Sequence, residues 1–461
     1  RMANRYSKTV LLGALALLIS APLLGAPGAA VPDTYVLSAD AWGPAQDAAV
    51  AAAGGTLTLR HAKSGLAVAE SASKTFLKDV QRFGSIRGAL DEVVEWQPRT
   101  QTVELQEEAV TPGNETFVNM QWNLKAVKAP EAWAATGLTG WGVRVAVLDG
   151  GIYDAHIDLN GNVDVERSVS FVPGYAFNQD TGTFWHGTHV AGIIAARDNG
   201  IGTIGIAPEA TIIGVKVLHN GTGAFSQIIA GILYAADPIA EGGAGADIIN
   251  MSLGALFARG GGNTGAGYLV GAMARAVNYA TERNVLVVSA AGNDSVDLDH
   301  SASYIKVPAE SGSGIAVSAT GPIGYAVGYP NGNQDFARPA SYTNYGHSVI
   351  WLAAPGGDFA LPGEDICTMP RVPSGSSATY CWVFDMVISC SRGQTASIST
   401  YSYAAGTSMA TPAAAAVAAL VKQRFPGMLV GDLKTHLART ADGSGPYYGH
   451  GFVNALRAVT E

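Results

Sequence analysis

The stretch Val143-Arg-Val-Ala-Val-Leu148 is a mostly apolar run of strand length, and Asp149 follows it directly. From Asn119 onward, similar runs alternate with segments of helix length. Apolar strands that alternate with helices are typical of a parallel sheet that is covered by helices on both faces. We therefore predict a three-layer α/β domain built on a mostly parallel sheet.

The same alternation continues almost to the end of the chain. The other predicted strands are Thr211–Leu218, Asp247–Leu253, Val285–Ser289, Ile315–Ser318 and Val349–Ala353. The predicted helices include Thr188–Ala196, Phe225–Ala236, Leu269–Arg283 and Thr411–Arg424. In parallel sheets the chemistry is located at the carboxyl ends of the strands. Polar residues at those ends are therefore the first candidates for a functional site.

Composition excludes several classes of protein. Of the 461 residues, 48% are hydrophobic and 14% are charged, so the chain can bury a large core and is not disordered. The net charge is −9 and no long basic run occurs, which argues against nucleic acid or an anionic membrane as the main partner. The 57 glycines show no three-residue period, which excludes a collagen-like chain.

Residues 1–30 have the pattern of a secretory signal peptide. Basic residues precede an apolar run from Val10 to Ile19, and small residues follow it. The alternative is a membrane anchor, because the chain carries no charge from Thr9 to Pro32. The strongly apolar run has about half of the roughly 20 residues that a spanning helix needs. We therefore predict an extracellular protein with no stable membrane anchor after the signal is cleaved.

Residues 31–110 form a separate, smaller unit. Strand-like segments such as Thr34–Leu37 and Gly55–Leu59 indicate a small α+β domain. The polar and acidic stretch Gln106–Glu115 follows and is typical of an exposed linker. The predicted organisation is thus a signal peptide, a small domain of residues 31–110, and the α/β domain of residues 111–461.

Three motifs place reactive side chains at strand ends and helix starts. The motifs are Val145–Ile152, His186–Gly192 and Gly406–Pro412. They put Asp149 at a strand end, His186 at a helix start, and Ser408 at a turn into an Ala-rich helix. A fourth segment, Val287–Asn293, places an amide side chain at another strand end. The order Asp, His, Ser is one of the known orders of a catalytic triad.

Together these motifs resemble the subtilisin-like serine protease (subtilase) family, from about Gln121 to Ala458. The resemblance implies the family fold and a secreted precursor, in which residues 31–110 are an inhibitor-like propeptide. It also implies a serine endopeptidase that acts on extended polypeptides and cleaves its own propeptide. We expect the junction between Leu105 and Asn114.

Each residue type fits a catalytic role. Ser408 is the expected nucleophile, His186 the base that takes its proton, and Asp149 the group that orients the imidazole. Asn293 and the backbone N–H of Ser408 are expected to stabilise the oxyanion. Taken singly, a strand-end Asp, a loop His and a helix N-cap Ser have ordinary structural interpretations. Their joint occurrence favours catalysis, and His189 is interpreted as structural support.

Two segments resemble the walls that hold an extended peptide. One is Ser252, Leu253 and Gly254, and the other is Ala290, Ala291 and Gly292. The alternative is that they are ordinary buried strand ends. Lys306 is expected near the floor of the pocket for the residue before the cleaved bond. A basic floor would favour an acidic side chain.

The resemblance also implies a structural Ca²⁺ site after the His186 helix. The implied ligands are Asn199, the backbone carbonyls of Arg197, Ile201 and Thr203, and the carboxylate of Asp158. Ca²⁺ prefers six to eight oxygen ligands, which such a set can supply in part. The alternative is a plain Asn-Gly turn.

Two departures from the family pattern keep other functions open. Gly150 replaces the usual Ser or Thr after the catalytic Asp, and Ala413 replaces the usual His after Pro412. The alternatives are a catalytically inactive peptide binder and an enzyme that transfers the acyl group to an amine. If Gly150 only lacks a hydroxyl that would help to order Asp149, then Gly150→Ser would hold or raise activity. If instead the backbone at position 150 adopts a positive φ, glycine is needed there.

The three cysteines, Cys367, Cys381 and Cys390, lie in a long stretch before Ser408. One pair can form a disulfide in an exported protein, and Cys381–Cys390 would close the shortest loop.

Overall fold

A computed structural model describes residues 31–82, 85–98, 100–105, 115–259, 265–393 and 399–461. The predicted signal peptide and most of the predicted linker lie outside these residues. Within the described ranges, none of the helices combines the length and the apolar character needed to cross a bilayer.

The N-terminal unit is a four-stranded antiparallel sheet with two helices. Its elements are β1 (Asp33–Ser38), α1 (Pro44–Ala52), β2 (Thr56–His61), β3 (Leu66–Ser71), α2 (Phe76–Arg82) and β4 (Arg87–Leu90). The strand order is β2-β3-β1-β4. Two short strands follow, β5 (Val93–Glu95) and β6 (Gln101–Leu105). They pair with strands of the larger unit and not with this sheet.

The first half of the larger unit alternates strands and helices as predicted. It contains α3 (Trp122–Ala126), α4 (Ala129–Thr136), β7 (Arg144–Asp149), β8 (Val169–Ser170), α5 (His186–Ala195), β9 (Thr211–Lys216), β10 (Thr222–Ala224), α6 (Phe225–Ala236), β11 (Ile248–Met251), β12 (Ala255–Ala258) and α7 (Gly265–Glu282).

The second half supplies the rest of the sheet and a long, mostly buried helix. It contains β13 (Leu286–Ala290), β14 (Tyr304–Val307), β15 (Ile315–Thr320), β16 (Ile350–Pro355), β17 (Ile366–Pro370), β18 (Ser376–Tyr380), β19 (Val387–Ser391), β20 (Thr400–Ala405), α8 (Thr407–Arg424), α9 (Val430–Thr440) and α10 (Ala455–Thr460). Short 3₁₀ turns at Val118–Met120, Ile239–Glu241 and Cys381–Asp385 complete the secondary structure of the described residues.

The central sheet has seven strands in the order β16-β15-β13-β11-β7-β9-β8. Every pairing within it is parallel. The neighbours β13, β11 and β7 therefore present their carboxyl ends at one edge of the sheet. Asp149, Ser252 and Ala291 lie there, at the ends of these three strands or immediately after them. The predicted α/β class with a parallel sheet is confirmed.

Alternate residues of β7 reach two different hydrophobic cores. Val145 and Val147 pack into the core that contains α5 and α8, whereas Ala146 and Leu148 pack into the core that contains α6 and α7. This alternation follows from the two-residue period of a strand that is buried on both faces. Residues 407–422 of α8 are all buried, and the many alanines among them allow close packing against the sheet.

The N-terminal sheet rests on α7 of the larger unit. It has a small core of its own, which includes Leu37 and Phe76. Arg275 of α7 donates through Nη2 to the carbonyl of Ala39 at 2.8 Å, and Tyr268 donates to the carbonyl of Arg87 at 3.1 Å. The two units are thus joined by polar contacts to backbone carbonyls and by a shared apolar core, in which Val36 and Leu66 belong with Leu269 and Met273.

The sequence left the cysteine pairing open; the disulfide joins Cys367 and Cys381 and not the Cys381–Cys390 pair that would close the shortest loop. Because β17 and β18 form an antiparallel hairpin, Cys367 and Cys381 meet with their Cα atoms 4.8 Å apart. Cys390 is a buried free thiol on β19, and it packs against Gly192 of α5. Loop length alone did not show which strands pair.

Candidate active site

The carboxylate of Asp149 and the imidazole of His186 form a buried pair. His186 Nδ1 lies 3.0 Å from Asp149 Oδ1 and 2.9 Å from Oδ2, and each side chain is 1% exposed. Asp149 is the last residue of β7 and His186 is the first residue of α5. A Cβ added at Gly187 would lie 3.0 Å from the Asp149 Cβ and 2.5 Å from the Gly151 carbonyl oxygen. Glycine at position 187 therefore lets the helix start against the strand end.

The pair fixes the orientation of the imidazole. Asp149 Oδ1 also accepts the backbone N–H of Gly150 at 2.7 Å, which holds the carboxylate in place. His186 Nε2 is buried and has no hydrogen-bond partner among the described residues. With Nδ1 facing a carboxylate, Nε2 is the nitrogen that can accept a proton.

Ser408 lies in the first turn of α8 and is fully buried. Its hydroxyl donates to the backbone carbonyl of Ser252 at 3.2 Å. A hydroxyl has one hydrogen, and Ser408 donates it to the Ser252 carbonyl. Ser408 therefore does not donate a hydrogen bond to His186 in this structure. Reaction with a substrate therefore requires the Ser408 side chain to turn towards Nε2 of His186.

The turn at Ser408 is stabilised by Ser252. Pro412 has no N–H, so the Ser408 carbonyl lacks its usual helical donor four residues later. The Ser252 hydroxyl donates to that carbonyl at 2.8 Å and so replaces the missing bond. This explains how a proline fits in the helix one turn after Ser408.

Asn293 is held against the same turn. Its Oδ1 accepts the backbone N–H of Thr407 at 2.9 Å and the Thr407 hydroxyl at 2.7 Å. Its Nδ2 lies 3.0 Å from the position that a Cβ on Gly406 would occupy. These two bonds hold the amide beside the Ser408 turn, at a position from which Nδ2 can donate to a developing oxyanion.

The predicted substrate walls contribute backbone more than side chains. Leu253, Ala290 and Ala291 have fully buried side chains, and the Ser252 hydroxyl is engaged with Ser408. The backbone N–H of Gly254, by contrast, donates to the carbonyl of Trp96 at 2.8 Å. The first wall thus binds an extended segment of this same chain.

The two strands of that segment, β5 and β6, both pair with strands of the α/β unit. Strand β5 pairs antiparallel with β10, and the N–H groups of Trp96 and Gln97 both donate to the Gly221 carbonyl. Strand β6 pairs antiparallel with β20, which leads directly into the Ser408 turn. The Trp96 indole is fully buried and donates to the Gly223 carbonyl at 2.9 Å.

An acidic residue that the sequence analysis missed, Asp180, occupies the space beside Gly150. A Cβ added at Gly150 would lie 2.5 Å from Asp180 Oδ2. Gly150 is not among the glycines with a positive φ, so its backbone conformation does not require glycine. Lys216 Nζ donates to the Gly150 carbonyl and, at 2.7 Å, to the Leu218 carbonyl. Burial raises the pKa of Asp180 to about 6, Lys216 opposes that rise, and Asp149 adds to it.

His189 has the structural role expected of it. Its Nε2 lies 2.9 Å from the Ser402 carbonyl, and the ring is fully buried. Burial lowers the pKa of His189 to about 3, so it stays neutral at ordinary pH.

The predicted calcium loop gathers around two buried carboxylates. Asp158 Oδ2 accepts the Thr203 N–H at 2.9 Å and the Tyr401 hydroxyl at 2.9 Å. Asn199 donates through Nδ2 to Asp158 Oδ1 at 3.3 Å, and its Oδ1 accepts the Ile201 N–H at 3.1 Å. The structure therefore brings the side chains of Asp158 and Asn199 together. Arg197 and Ile201 lie in the same loop.

Glu115, which the sequence analysis did not identify, joins this cluster. Its Oε1 accepts the N–H groups of Asn199 and Gly200, each at 3.0 Å, whereas its Oε2 is buried without a partner among the described residues. Burial raises the pKa of Glu115 to about 8 despite these bonds, and Asp158 nearby adds to the effect. A buried, incompletely satisfied pair of carboxylates fits a hard divalent cation.

A buried acid–base pair, a serine at a helix start and an amide beside it are the groups that serine hydrolases use. Residues 140–454 match the Subtilase family (peptidase S8). The chain is 37% identical over 344 residues to Subtilisin BL of Lederbergia lenta, covering 74% of this chain and 99% of the relative. It is 33% identical over 358 residues to Thermitase of Thermoactinomyces vulgaris, covering 76% and 99%. The chain belongs to the subtilase family and is a serine endopeptidase.

Solved structures agree with this assignment. A protease from Pseudoalteromonas arctica is 29% identical with a TM-score of 0.56, covering 76% of this chain and 99% of that one. Fervidolysin from Fervidobacterium pennivorans has the same fold, with a TM-score of 0.64 at 22% identity, covering 94% of this chain and 62% of that one. A share of 94% is too large for the α/β unit alone, so this match includes residues of the N-terminal unit.

Proposed function

We propose that Asp149, His186 and Ser408 are the catalytic triad of a secreted endopeptidase that matures itself. The observation that carries the proposal is the buried Asp149–His186 pair, whose Nε2 has no partner among the described residues. A fully buried imidazole with one nitrogen against a carboxylate is arranged to accept a proton on the other.

The reaction follows from the positions of these groups. Ser408 turns from the Ser252 carbonyl to His186, which takes the hydroxyl proton as the oxygen attacks the substrate carbonyl. The Ser408 N–H and Asn293 Nδ2 stabilise the oxyanion. His186 then gives the proton to the leaving amine, and the acyl-enzyme is released when His186 activates water in the same way.

Neither departure from the family pattern disturbs these groups. Asp180 occupies the space beside Gly150, and Ala413 is a fully buried residue of α8. The Asp149–His186 distances are those of a normal charge-assisted hydrogen bond. The geometry therefore favours catalysis over the inactive peptide binder, and no contact among the described residues favours acyl transfer to an amine.

Labelling of the nucleophile by a fluorophosphonate tests the assignment. The mature enzyme should be labelled, Ser408→Ala should lose labelling and hydrolysis, and Ser313→Ala should keep both. Ser313 is an exposed serine away from the cleft, so it is the matched control. Labelling of Ser408→Ala would place the nucleophile elsewhere, and amide-linked products in the mass spectrum would indicate acyl transfer.

We infer that residues 31 to about 110 are the inhibitory propeptide. The supporting observation is that β5 and the Trp96 backbone pair with β10 and Gly254 as an extended peptide substrate would. A segment held in this way blocks the cleft until it is cut.

The same contacts favour a first cut between Pro98 and Gln101, upstream of the junction expected from sequence. Pro98 lies beside Asn293 in one pocket, and Gln101 pairs with Ala405 two residues before Thr407. Purified Ser408→Ala precursor should therefore remain full length, whereas the wild-type chain should first yield an N-terminus within residues 99–101. Maturation of the pure Ser408→Ala precursor would contradict self-processing.

We also propose a structural Ca²⁺ held by Asp158 and Asn199, by the carbonyls of Arg197, Ile201 and Thr203, and by Glu115. The ion would balance the negative charge of the two carboxylates. Chelation should lower the melting temperature, and Asp158→Ala should reduce that sensitivity. An unchanged transition after exhaustive chelation would contradict the site.

Secretion rests on the signal pattern of residues 1–30 alone. Expression of the full chain in a secreting host should release a protein that lacks these residues, as its N-terminal sequence would show. Retention of residues 1–30 in the membrane fraction would contradict cleavage.

A further inference from the structure

The hairpin of β17 and β18 contacts residues 115–120, at the start of the described part of the α/β unit. The N–H of Val372, at the tip of the hairpin, donates to the Thr116 carbonyl at 3.1 Å. Asn119 Nδ2 donates to the carbonyl of Pro370, the last residue of β17, at 3.2 Å. The first bond has its donor on the hairpin and the second has its donor on the segment. The tip of the hairpin is thus joined to the segment at two points.

Phe117 forms the third contact between the hairpin and this segment. Its side chain is fully buried, and the guanidinium of Arg371 lies over the ring, 5.5 Å from the ring centroid. Arg371 Nε donates to Ser377 Oγ at 2.8 Å, so the hairpin itself holds the guanidinium in place. A cation over the face of an aromatic ring is a favourable contact. Phe117 is therefore enclosed between the core and the tip of the hairpin.

The same segment carries a carboxylate into the proposed cation site. The N–H of Phe117 donates to the Gly202 carbonyl at 2.9 Å, which ties the segment to the calcium loop. Glu115 Oε1 accepts the N–H groups of Asn199 and Gly200, each at 3.0 Å. Glu115 Oε2 is buried without a partner among the described residues. The position of this free oxygen therefore depends on a segment that the hairpin covers.

The disulfide closes the base of the hairpin. Cys367 lies on β17, and Cys381 follows β18 directly. Met369, between the disulfide and the tip, is fully buried in the core that contains α5 and α8, whereas alternate residues of β17 are exposed. A two-stranded hairpin has little stability of its own in water. A cross-link between its strands restricts the open conformations of the chain and so favours the closed hairpin.

Maturation gives this anchorage a purpose. The proposed first cut and the junction expected from sequence both lie upstream of Glu115, so Glu115 belongs to the first part of the mature chain. The first residues of a domain are poorly ordered unless tertiary contacts hold them. A carboxylate in such a segment can serve as a ligand at little entropic cost only if its position is fixed before the ion binds.

We propose that the hairpin closed by Cys367–Cys381 is a clamp that keeps Glu115 in the cation site, so that opening the disulfide weakens Ca²⁺ binding. The inference rests on the proposed function, because it takes the Ca²⁺ site as given. The hairpin supplies none of the proposed ligands and acts only through its contacts with residues 115–120. Its role is therefore to position a ligand.

Calcium titration of the mature enzyme tests the clamp, after labelling by a fluorophosphonate so that the enzyme cannot degrade itself. Isothermal titration calorimetry should show a Kd about tenfold higher when Cys367→Ser is combined with Cys381→Ser, which is within the usual range of coupling between two sites. Arg371→Ala leaves the disulfide in place and should raise the Kd by a smaller factor, so it tests the clamp even if the cysteine variant does not fold. Arg283→Ala is the matched control and should keep the wild-type Kd, because Arg283 follows α7 and bonds to Glu241.

A double-mutant cycle separates positioning from a general loss of stability. In the Glu115→Gln background, opening the disulfide should change the Kd by less than about twofold, because the carboxylate that the clamp holds is gone. An equal loss of affinity in both backgrounds would overturn the clamp, as would a wild-type Kd in the variants of the hairpin. Either result would leave the Ca²⁺ site in place. A labelled wild-type enzyme that binds no Ca²⁺ would contradict the proposed site itself, and the clamp with it.

Discussion

Asp149 and Asp158 are buried carboxylates only nine positions apart, yet their surroundings differ in kind. Asp149 is matched by the His186 imidazole and the Gly150 N–H. Asp158 accepts three kinds of neutral donor and still shares its surroundings with Glu115, one of whose oxygens has no partner among the described residues. The protein itself completes the first site, whereas the second holds two buried carboxyl groups, and burial raises the pKa of Asp158 to about 6 and that of Glu115 to about 8. The comparison teaches that a buried acidic side chain points to a bound cation only where the neighbouring groups leave one of its oxygens without a hydrogen-bond or ionic partner.

The largest effect should come from exchanging each acid for its amide. Asp149→Asn should lower kcat by about 10⁴-fold with little change in melting temperature, because the imidazole loses its orienting carboxylate. Asp158→Asn should leave kcat within about threefold and change the calcium dependence of stability instead. Steady-state kinetics and thermal unfolding of both variants check this. A large loss of kcat in a folded Asp158→Asn enzyme would break the comparison.

A smaller but still large effect is expected at the oxyanion donor. Asn293→Ala should lower kcat by roughly 10²–10³ with little change in KM, because the amide acts in the transition state. Its Oδ1 also holds Thr407, so the melting temperature of the variant must be measured alongside. A pure rise in KM would assign Asn293 to ground-state binding.

The third effect concerns the space beside Asp149. Gly150→Ser should lower kcat/KM by about tenfold, because its Cβ would lie 2.5 Å from Asp180 Oδ2. This reverses the expectation from sequence that a serine would hold or raise activity. Combining Gly150→Ser with Asp180→Ala should restore part of the loss. If Gly150→Ser is as active as wild type, the Asp180 side chain can move aside without a loss of activity, and the steric explanation is wrong.

The smallest effect should appear in the pH dependence of stability. Burial raises the pKa of Asp180 to about 6 from the usual value for an aspartate. A raised folded-state pKa contributes stability that is present at low pH and is lost as pH rises through about 6. Asp180→Asn should therefore show a smaller fall in melting temperature between about pH 4 and pH 6 than wild type. Parallel curves for the two proteins would show that Asp180 is not perturbed.

The sequence was sufficient for the parts of the site that lie in short, continuous motifs. Asp149, His186, Ser408 and Asn293 each follow a strand or start a helix, and parallel pairing brings such positions to one edge. Helix α8 nevertheless begins at Thr407 and not at Thr411, because Ser252 replaces the hydrogen bond that Pro412 cannot make. That compensation comes from a residue distant in sequence and has no local signal.

The residues that sequence reasoning missed all act across long separations. Asp180 meets Gly150 from a loop, and Glu115 meets Asn199 from the start of the α/β unit. When a carboxylate lies in a polar loop, the residues next to it in the sequence do not indicate whether the fold will bury it. Only the tertiary arrangement reveals it.

The central claim is that the catalytic site is complete without the cation that we propose for the Asp158–Glu115 cluster. The most direct test measures the rate of fluorophosphonate labelling of Ser408, with and without excess chelator, well below the unfolding temperature, and records the melting temperature of the same samples. The account predicts an unchanged labelling rate together with a lower melting temperature in the chelator. Loss of labelling while the protein is still folded would contradict it.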